Sequence, residues 1–260
     1  MNVKIKILRT PKNGNSEDEY EDAYQPTIDG EYEVQKFFAA MADGASEGFF
    51  SGQWADILVR EYCSDQSNKK DLASFLDETT AIWKEFLGAY IKKREEENRP
   101  IQWYEEPGLE NGAFSTLIGL SIFDGPDDGD KSWCASAIGD TCLFQIRQTE
   151  LICSFPMQNA ESFNTWPALI SSNPIHNTNL IEKSKSIGGS WVDSDQFFLM
   201  SDAISAWFLR EYEINHHPLL LQQLFMKSNA EFANWISELR ENNEIRNDDV
   251  TFMSLSVSES

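Results

Sequence analysis

Between residues 113 and 155 the chain passes through four short apolar runs, each cut off by a tight polar turn. The runs cover 113–123, 132–138, 141–146 and 151–155, and the acidic turn DGPDDGD at 124–130 joins the first two. Connections this short suit hairpins, whereas a parallel pair needs a long crossover, so the strands are read as antiparallel. Three more strand patterns lie outside this block. Residues 3–9 alternate Val3, Ile5 and Ile7 with Lys4 and Lys6, 33–42 ends in the apolar run FFAAMA, and 197–200 is a short buried run. A closing strand over 249–257 carries Val250, Phe252, Ser254 and Ser256 on one face and Thr251, Met253, Leu255 and Val257 on the other.

Helical periodicity is clearest over 71–93, where Leu72, Phe75, Leu76, Thr79, Ile82, Trp83, Phe86, Leu87, Tyr90 and Ile91 recur at steps of three and four. A second helix is expected over 51–62, with Trp54, Ile57, Leu58 and Tyr62 on one face, and three more over 203–211, 219–226 and 230–241. Residues 10–20 read as a loop, and 156–189, rich in Asn, Ser and Pro, as a long irregular flap-like segment. Strands and helices come in groups without a repeat or a linker, which points to one α+β domain over 1–260.

Forty-three Asp and Glu residues against 21 Lys and Arg leave a net charge of −22. Such a chain would be repelled by nucleic acid and by anionic membrane surfaces, but its carboxylates suit hard cations. The N-terminus is strand-like and has no signal-peptide core, and the longest largely apolar stretch, near 114–123, is far too short to span a bilayer. A soluble cytoplasmic protein is expected, with Cys63, Cys134, Cys142 and Cys153 as free buried thiols. His176, His216 and His217 lie in loop-like contexts, and no Ser–His or Cys–His arrangement stands out.

The acids carry a stronger signal. Glu21-Asp22, Asp43-Gly44, Asp140, Asp202 and Asp248-Asp249 each stand at a strand end or beside a tight turn. Taken singly, an Asp before Gly is a turn residue and an Asp opening a helix is a cap. Taken together, strand ends that converge on one rim could offer oxygen ligands to two divalent cations about 3.5–4 Å apart, an arrangement that clamps a phosphoryl group and activates water.

The order of these elements resembles the metal-dependent protein phosphatase family, type 2C. Glu21-Asp22-Ala23 is similar to its early Glu-Asp-Ala element, and Phe38 to Gly44 to its strand ending in Asp-Gly. Gly112 to Thr116 (GAFST) stands where the family has a Gly- and Thr-rich strand start. Ala137-Ile138-Gly139-Asp140-Thr141 is similar to its Gly-Asp-Ser element, Phe197 to Ala203 to its Ser-Asp-Gly element, and Asn247 to Thr251 to its closing Asp-Asn-x-Thr strand. The resemblance spans nearly the whole chain. It implies an αββα sandwich of two antiparallel sheets flanked by helices, and a centre of two or three Mn²⁺ or Mg²⁺ ions. It assigns Asp43 as the bridging ligand, Glu21 and the Gly44 carbonyl to one ion, Asp202 and Asp248 to the other, and Asp140 with Asp202 to a weaker third. Asp22 would act close by, so that Asp43 and Asp22 are the expected catalytic pair. The implied activity is hydrolysis of phosphoserine and phosphothreonine by a metal-activated water, on a phosphoprotein partnered with a Ser/Thr kinase in signalling.

The pattern also departs from the family. Glu17-Asp18-Glu19-Tyr20 fill the window where a phosphate-gripping Arg is expected, with Arg9 or Lys12 as candidate replacements. ASEGFFSG follows Asp43-Gly44 without a His, leaving Glu47 as a candidate acid. Thr-Cys follows Asp140, Ala203 replaces a Gly, and 156–189 lacks a Thr-x-Asp-His element. These departures motivate an alternative, a catalytically weak pseudophosphatase serving as a regulatory binding module. A phosphatase for a small phosphorylated metabolite is a third expectation.

Overall fold

The computed structural model describes residues 1–46, 48–64, 71–125, 131–163, 166–216 and 218–259. Residues 126–130 of the expected acidic turn lie outside that range.

Two antiparallel sheets form the centre. The first runs in the order β3 (Gly30–Glu33), β1 (Asn2–Thr10), β13 (Val250–Ser258), β12 (Gln196–Met200), β8 (Cys142–Arg147), β9 (Glu150–Phe155). The second runs β11 (Lys185–Ser190), β7 (Ser132–Ile138), β6 (Leu117–Phe123), β4 (Lys36–Asp43), β2 (Asp22–Gln25). A two-stranded ribbon of β5 (Phe114–Ser115) and β10 (Ile170–Ser171) abuts the end of β4 through a Gly44–Ser115 bridge. The expected hairpins form: β6 pairs with β7 from Leu117↔Ile138 to Phe123↔Ser132, and β8 pairs with β9 with a bulge at Gln145/Ile146.

Period-two alternation sorts the side chains into layers. Val3, Ile5, Phe197, Leu199, Met253, Leu255 and Val257 of the first sheet meet Phe37, Met41, Ile118, Leu120, Ile122 and Trp133 of the second in one buried cluster. The opposite face of the first sheet presents Phe144, Phe198, Met200 and Phe252 to α5 (Asp202–Asn215), α6 (Leu219–Leu224) and α7 (Asn229–Glu241). The opposite face of the second presents Ala40, Ala42 and Leu117 to α1 (Ser51–Tyr62) and α2 (Leu72–Glu96). The layering is therefore helix, sheet, sheet, helix, as the sequence implied. Each large side chain fully buried in these layers contributes about 1.5–3 kcal/mol of hydrophobic stabilisation.

Asp71 caps α2 by accepting from the Ser74 amide. Only its first half is buried, through Phe75, Thr79, Thr80 and Trp83, and Ile82 is exposed. Farther along, the Phe86 and Tyr90 rings pack on Phe50 at 5.5 and 4.7 Å.

Four elements lack an apolar signature in the sequence. β2, β3 and β11 are edge strands, and β11 is exposed along its whole length. Backbone bonds to β7 hold it, so no hydrophobic pattern marks it. The fourth is the short helix α3 (Glu106–Asn111). Consequently the segment expected to be irregular over 156–189 contains β10, the helical turn α4 (Leu180–Lys183) and most of β11. The thiols also need correcting: all four are free, but Cys134 is exposed and only Cys142 is buried. Among the described residues no helix is long and apolar enough to cross a membrane.

Candidate functional site

The acids named from the sequence come from five chain segments that meet at one end of the two sheets. Asp22 and Asp43 are paired residues of β2 and β4, directly opposite in register, so their side chains share a face. Asp202 opens α5 immediately after β12, and Asp248 precedes β13, the strand that pairs with β12. Asp140 sits in the turn between β7 and β8.

Local chemistry fixes each position. Gly44 allows the end of β4 to touch backbone on two sides, since a Cβ there would lie 2.7 Å from Ser51 C and 2.8 Å from the Glu21 carbonyl oxygen. The Asp43 amide donates to Thr116 Oγ1 at 3.0 Å, and Ser115 Oγ donates to the Asp43 carbonyl at 2.9 Å. Thr116 Oγ1 also meets Thr141 Oγ1 at 2.6 Å, tying the Asp43 strand to the Asp140 turn. Gly139 makes that turn with φ of 104°, where a β-carbon would strike Thr116.

The carboxylates have distinct partners. Asp22 Oδ2 accepts from Thr251 Oγ1 at 2.6 Å and from the Tyr20 hydroxyl at 3.3 Å. Glu21 accepts from Ser46 Oγ and faces Lys12 Nζ at 3.5 Å. Asp202 and Asp248 both turn to Arg246: its Nη2 contacts Asp202 Oδ2 and lies 3.0 Å from Asp248 Oδ2. Asp249 has another task. Its two carboxylate oxygens accept from the backbone amides of Lys12 and Glu21, each at 2.8 Å, clamping the loop after β1 to the acid-bearing rim. Buried Arg240 of α7 completes the clamp by donating to the Pro11 and Asp248 carbonyls.

These acids are expensive to ionise together. Burial first, and then neighbouring aspartates, raise Asp22 and Asp43 well above the ordinary carboxylate range. Burial and the Asp202 charge push Asp140 up to about 7. Asp202 is also raised, chiefly by burial, although Arg246 pulls it back. Two oxygens, Asp22 Oδ1 and Asp202 Oδ1, are buried without any hydrogen-bond partner. Oxygen-only donors, mutual repulsion and orphaned lone pairs fit hard divalent cations. Among the described residues, however, no three His, Cys, Asp or Glu side chains close round a single ion. The hydrogen-bond network explains why, because Arg246 and Lys12 draw Asp202, Asp248 and Glu21 to themselves.

A cleft of about 660 Å³ opens over the site. Asp43, Asp140, Asp202 and Asp248 line it together with Phe163 and Trp166, the latter 92% exposed. Of the candidate replacements for a missing phosphate-binding cation, Arg9 pairs with Glu17 and lies over the Tyr20 ring, while Lys12 holds Glu21 and Ser46. Glu47 and His217 lie outside the described residues. His176 packs against the Phe114 ring and His216 ends α5. The parts unanticipated from sequence are the Asp249 clamp, Arg240 and Arg246. Arg246 alone left a signal, two residues before Asp248.

No protein-family model matches the sequence, and no curated protein matches it. Solved structures do match. The serine/threonine phosphatase PstP of Mycobacterium tuberculosis superposes with a TM-score of 0.59 at 17% identity, over 100% of both chains. The photosystem II phosphatase PBCP gives 0.58 at 15% identity, over 98% of this chain and 99% of that one. The catalytic domain of PstP in complex with two manganese ions gives 0.52 at 16%, over 99% and 100%. At such identities the likeness is one of architecture, two antiparallel sheets flanked by helices. This chain has the fold of the metal-dependent, type 2C protein phosphatases.

Proposed function

We propose that this chain is a divergent type 2C enzyme, a metal-dependent phosphatase hydrolysing phosphoserine and phosphothreonine in proteins. One observation supports the reading above others: four aspartates raised by burial and by one another converge beneath an open cleft, two of them with orphaned oxygens. Divalent cations would offset the mutual repulsion of such a cluster. PstP, which shares the fold, was solved with two manganese ions. Here Mn²⁺ or Mg²⁺ would be held by Asp43, Glu21 and the Gly44 carbonyl, by Asp202 and Asp248, and at a weaker third place by Asp140 with Asp202. Such cations, when bound, supply an activated water and neutralise phosphoryl charge.

The chain's own residues do the rest. Thr116, Ser115 and Gly44 fix Asp43, the expected bridging ligand. Thr251 and Tyr20 hold Asp22 Oδ2 while Oδ1 stays buried without a partner, so that, once cations offset its neighbours and Asp22 ionises, Oδ1 would be free to accept a proton. Phe163 and Trp166 present an apolar wall beside the acids, against which the chain flanking a phosphorylated side chain can lie. The substrate is a phosphoprotein made by a Ser/Thr kinase, and the setting is the cytoplasm.

One feature favours a second reading, a pseudophosphatase that holds a partner in its cleft: Asp202 and Asp248 already share the Arg246 guanidinium. A substrate panel separates the two. Mn²⁺-dependent release of phosphate from phosphoserine and phosphothreonine peptides, faster than from small phosphorylated metabolites, supports the protein phosphatase. Hydrolysis of the metabolites alone would move the substrate class, and none at all from Mn²⁺-treated folded protein favours the binding module.

A further inference from the structure

Arg246 is the one basic side chain among the described residues that line the cleft. Four aspartates line it as well, so an incoming phosphomonoester meets like charge on that wall. It needs a charged donor that reaches the cleft, and the alternatives are spent. Arg9 is paired with Glu17, and Lys12, at the rim of the cleft, is held by Glu21 and Ser46. Arg246 differs from both. Its side chain is 58% exposed, and its contacts to Asp202 and Asp248 both pass through Nη2. Nε and Nη1 have no hydrogen-bond acceptor among the described residues. A guanidinium presents a planar fork that matches two phosphate oxygens.

Resting on the phosphatase reading, we propose that Arg246 is the phosphate-binding residue of this cleft, parked on Asp202 and Asp248 until substrate arrives. Asp202 Oδ2 and Asp248 Oδ2 can face the guanidinium or a divalent cation, but not both at full strength. Once they turn to a cation, Arg246 is left with donors for phosphate. The position lies two residues before Asp248, just ahead of the closing strand, and far in sequence from the window ahead of Glu21.

Inorganic phosphate is the probe. Its binding is measured by calorimetry in saturating Mg²⁺ for wild type, Arg246→Lys and Arg246→Ala, beside a Mg²⁺ titration without phosphate and a thermal melt. Arg246→Ala is expected to weaken phosphate by about ten- to a hundredfold and Arg246→Lys by less, because a charge remains but the fork is lost. Mg²⁺ should bind the alanine variant at least as tightly as wild type, since a competitor has gone. Phosphate affinity within about twofold of wild type in Arg246→Ala overturns the inference, on the scale set for a charged hydrogen bond. Loss of Mg²⁺ binding there also overturns it, because Arg246 would then be only a brace for the carboxylates. Should the alanine variant fail to fold, an undiminished phosphate affinity in Arg246→Lys overturns the fork, and a severalfold loss upholds it. If wild type binds neither Mg²⁺ nor phosphate, the phosphatase reading fails and takes this inference with it; phosphate binding indifferent to Arg246 sinks the inference alone.

Discussion

Replacing Asp140 by Asn should stabilise the cation-free protein, and the gain should grow with pH. Asp140 is 5% exposed, and burial together with the Asp202 charge raises its carboxyl from 3.8 to about 7. A carboxyl raised by folding favours the native state only while protonated. Its contribution is whole below about pH 4 and is lost as the pH climbs through about 7. At about 1.4 kcal/mol per pH unit, full ionisation costs the fold at most about 4 kcal/mol. Asparagine keeps the shape and cannot ionise. In EDTA at pH 8 the variant should therefore exceed wild type by up to about 4 kcal/mol, and at pH 5 by only about 2 kcal/mol. Urea unfolding followed by tryptophan fluorescence, at steps from pH 5 to 8, measures the gap directly. Adding Mn²⁺ should close it, because a cation compensates the ionised wild type and gives the amide nothing equivalent. A variant no more stable than wild type at pH 8, or a gap that ignores pH, would refute the idea that Asp140 is held at a cost.

Two further perturbations address the scaffold. Asp249→Ala leaves the Lys12 and Glu21 amides without their acceptor and should lower the unfolding free energy by roughly 2–4 kcal/mol, with weakened Mn²⁺ binding as Glu21 loosens; an unfolding curve that superposes on wild type would show that the clamp does not hold in solution. Gly44→Ala forces a methyl group onto the Ser51 and Glu21 backbones and should cost about 1–3 kcal/mol, seen as a lower midpoint by scanning calorimetry; an unchanged midpoint would mean the strand end is not packed as described.

Much of the architecture was legible because strands buried on both faces read as short apolar runs closed by polar turns. The paired faces of β13 are the clearest case: Val250 and Phe252 meet helices, and Met253, Leu255 and Val257 meet the other sheet. The edge strands β2, β3 and β11 carry no such mark. β11 is stabilised by backbone bonds to β7, and its sequence, KSIGGS, says little about them. The acids at strand ends could be found because Asp beside Gly or a helix start is a local signal. Their partners are another matter. Arg240 reaches Pro11 across 229 positions and Asp249 reaches Lys12 across 237, so neither contact is visible until the chain has folded. The thiols failed for a related reason: Cys134 lies in an apolar run but points to the exposed face of β7.

The central claim, that clustered aspartates hold cations for phosphoester hydrolysis, is tested most directly by hydrolysis of p-nitrophenyl phosphate with Mn²⁺, Mg²⁺ or EDTA, run on wild type beside Asp43→Asn. On that claim, turnover should require the divalent cation and fall by about a hundredfold or more in the variant, the scale of losing a catalytic ligand or electrostatic contact. Folded wild-type protein that shows no cation-dependent turnover, or an Asp43→Asn variant as active as wild type, would contradict it.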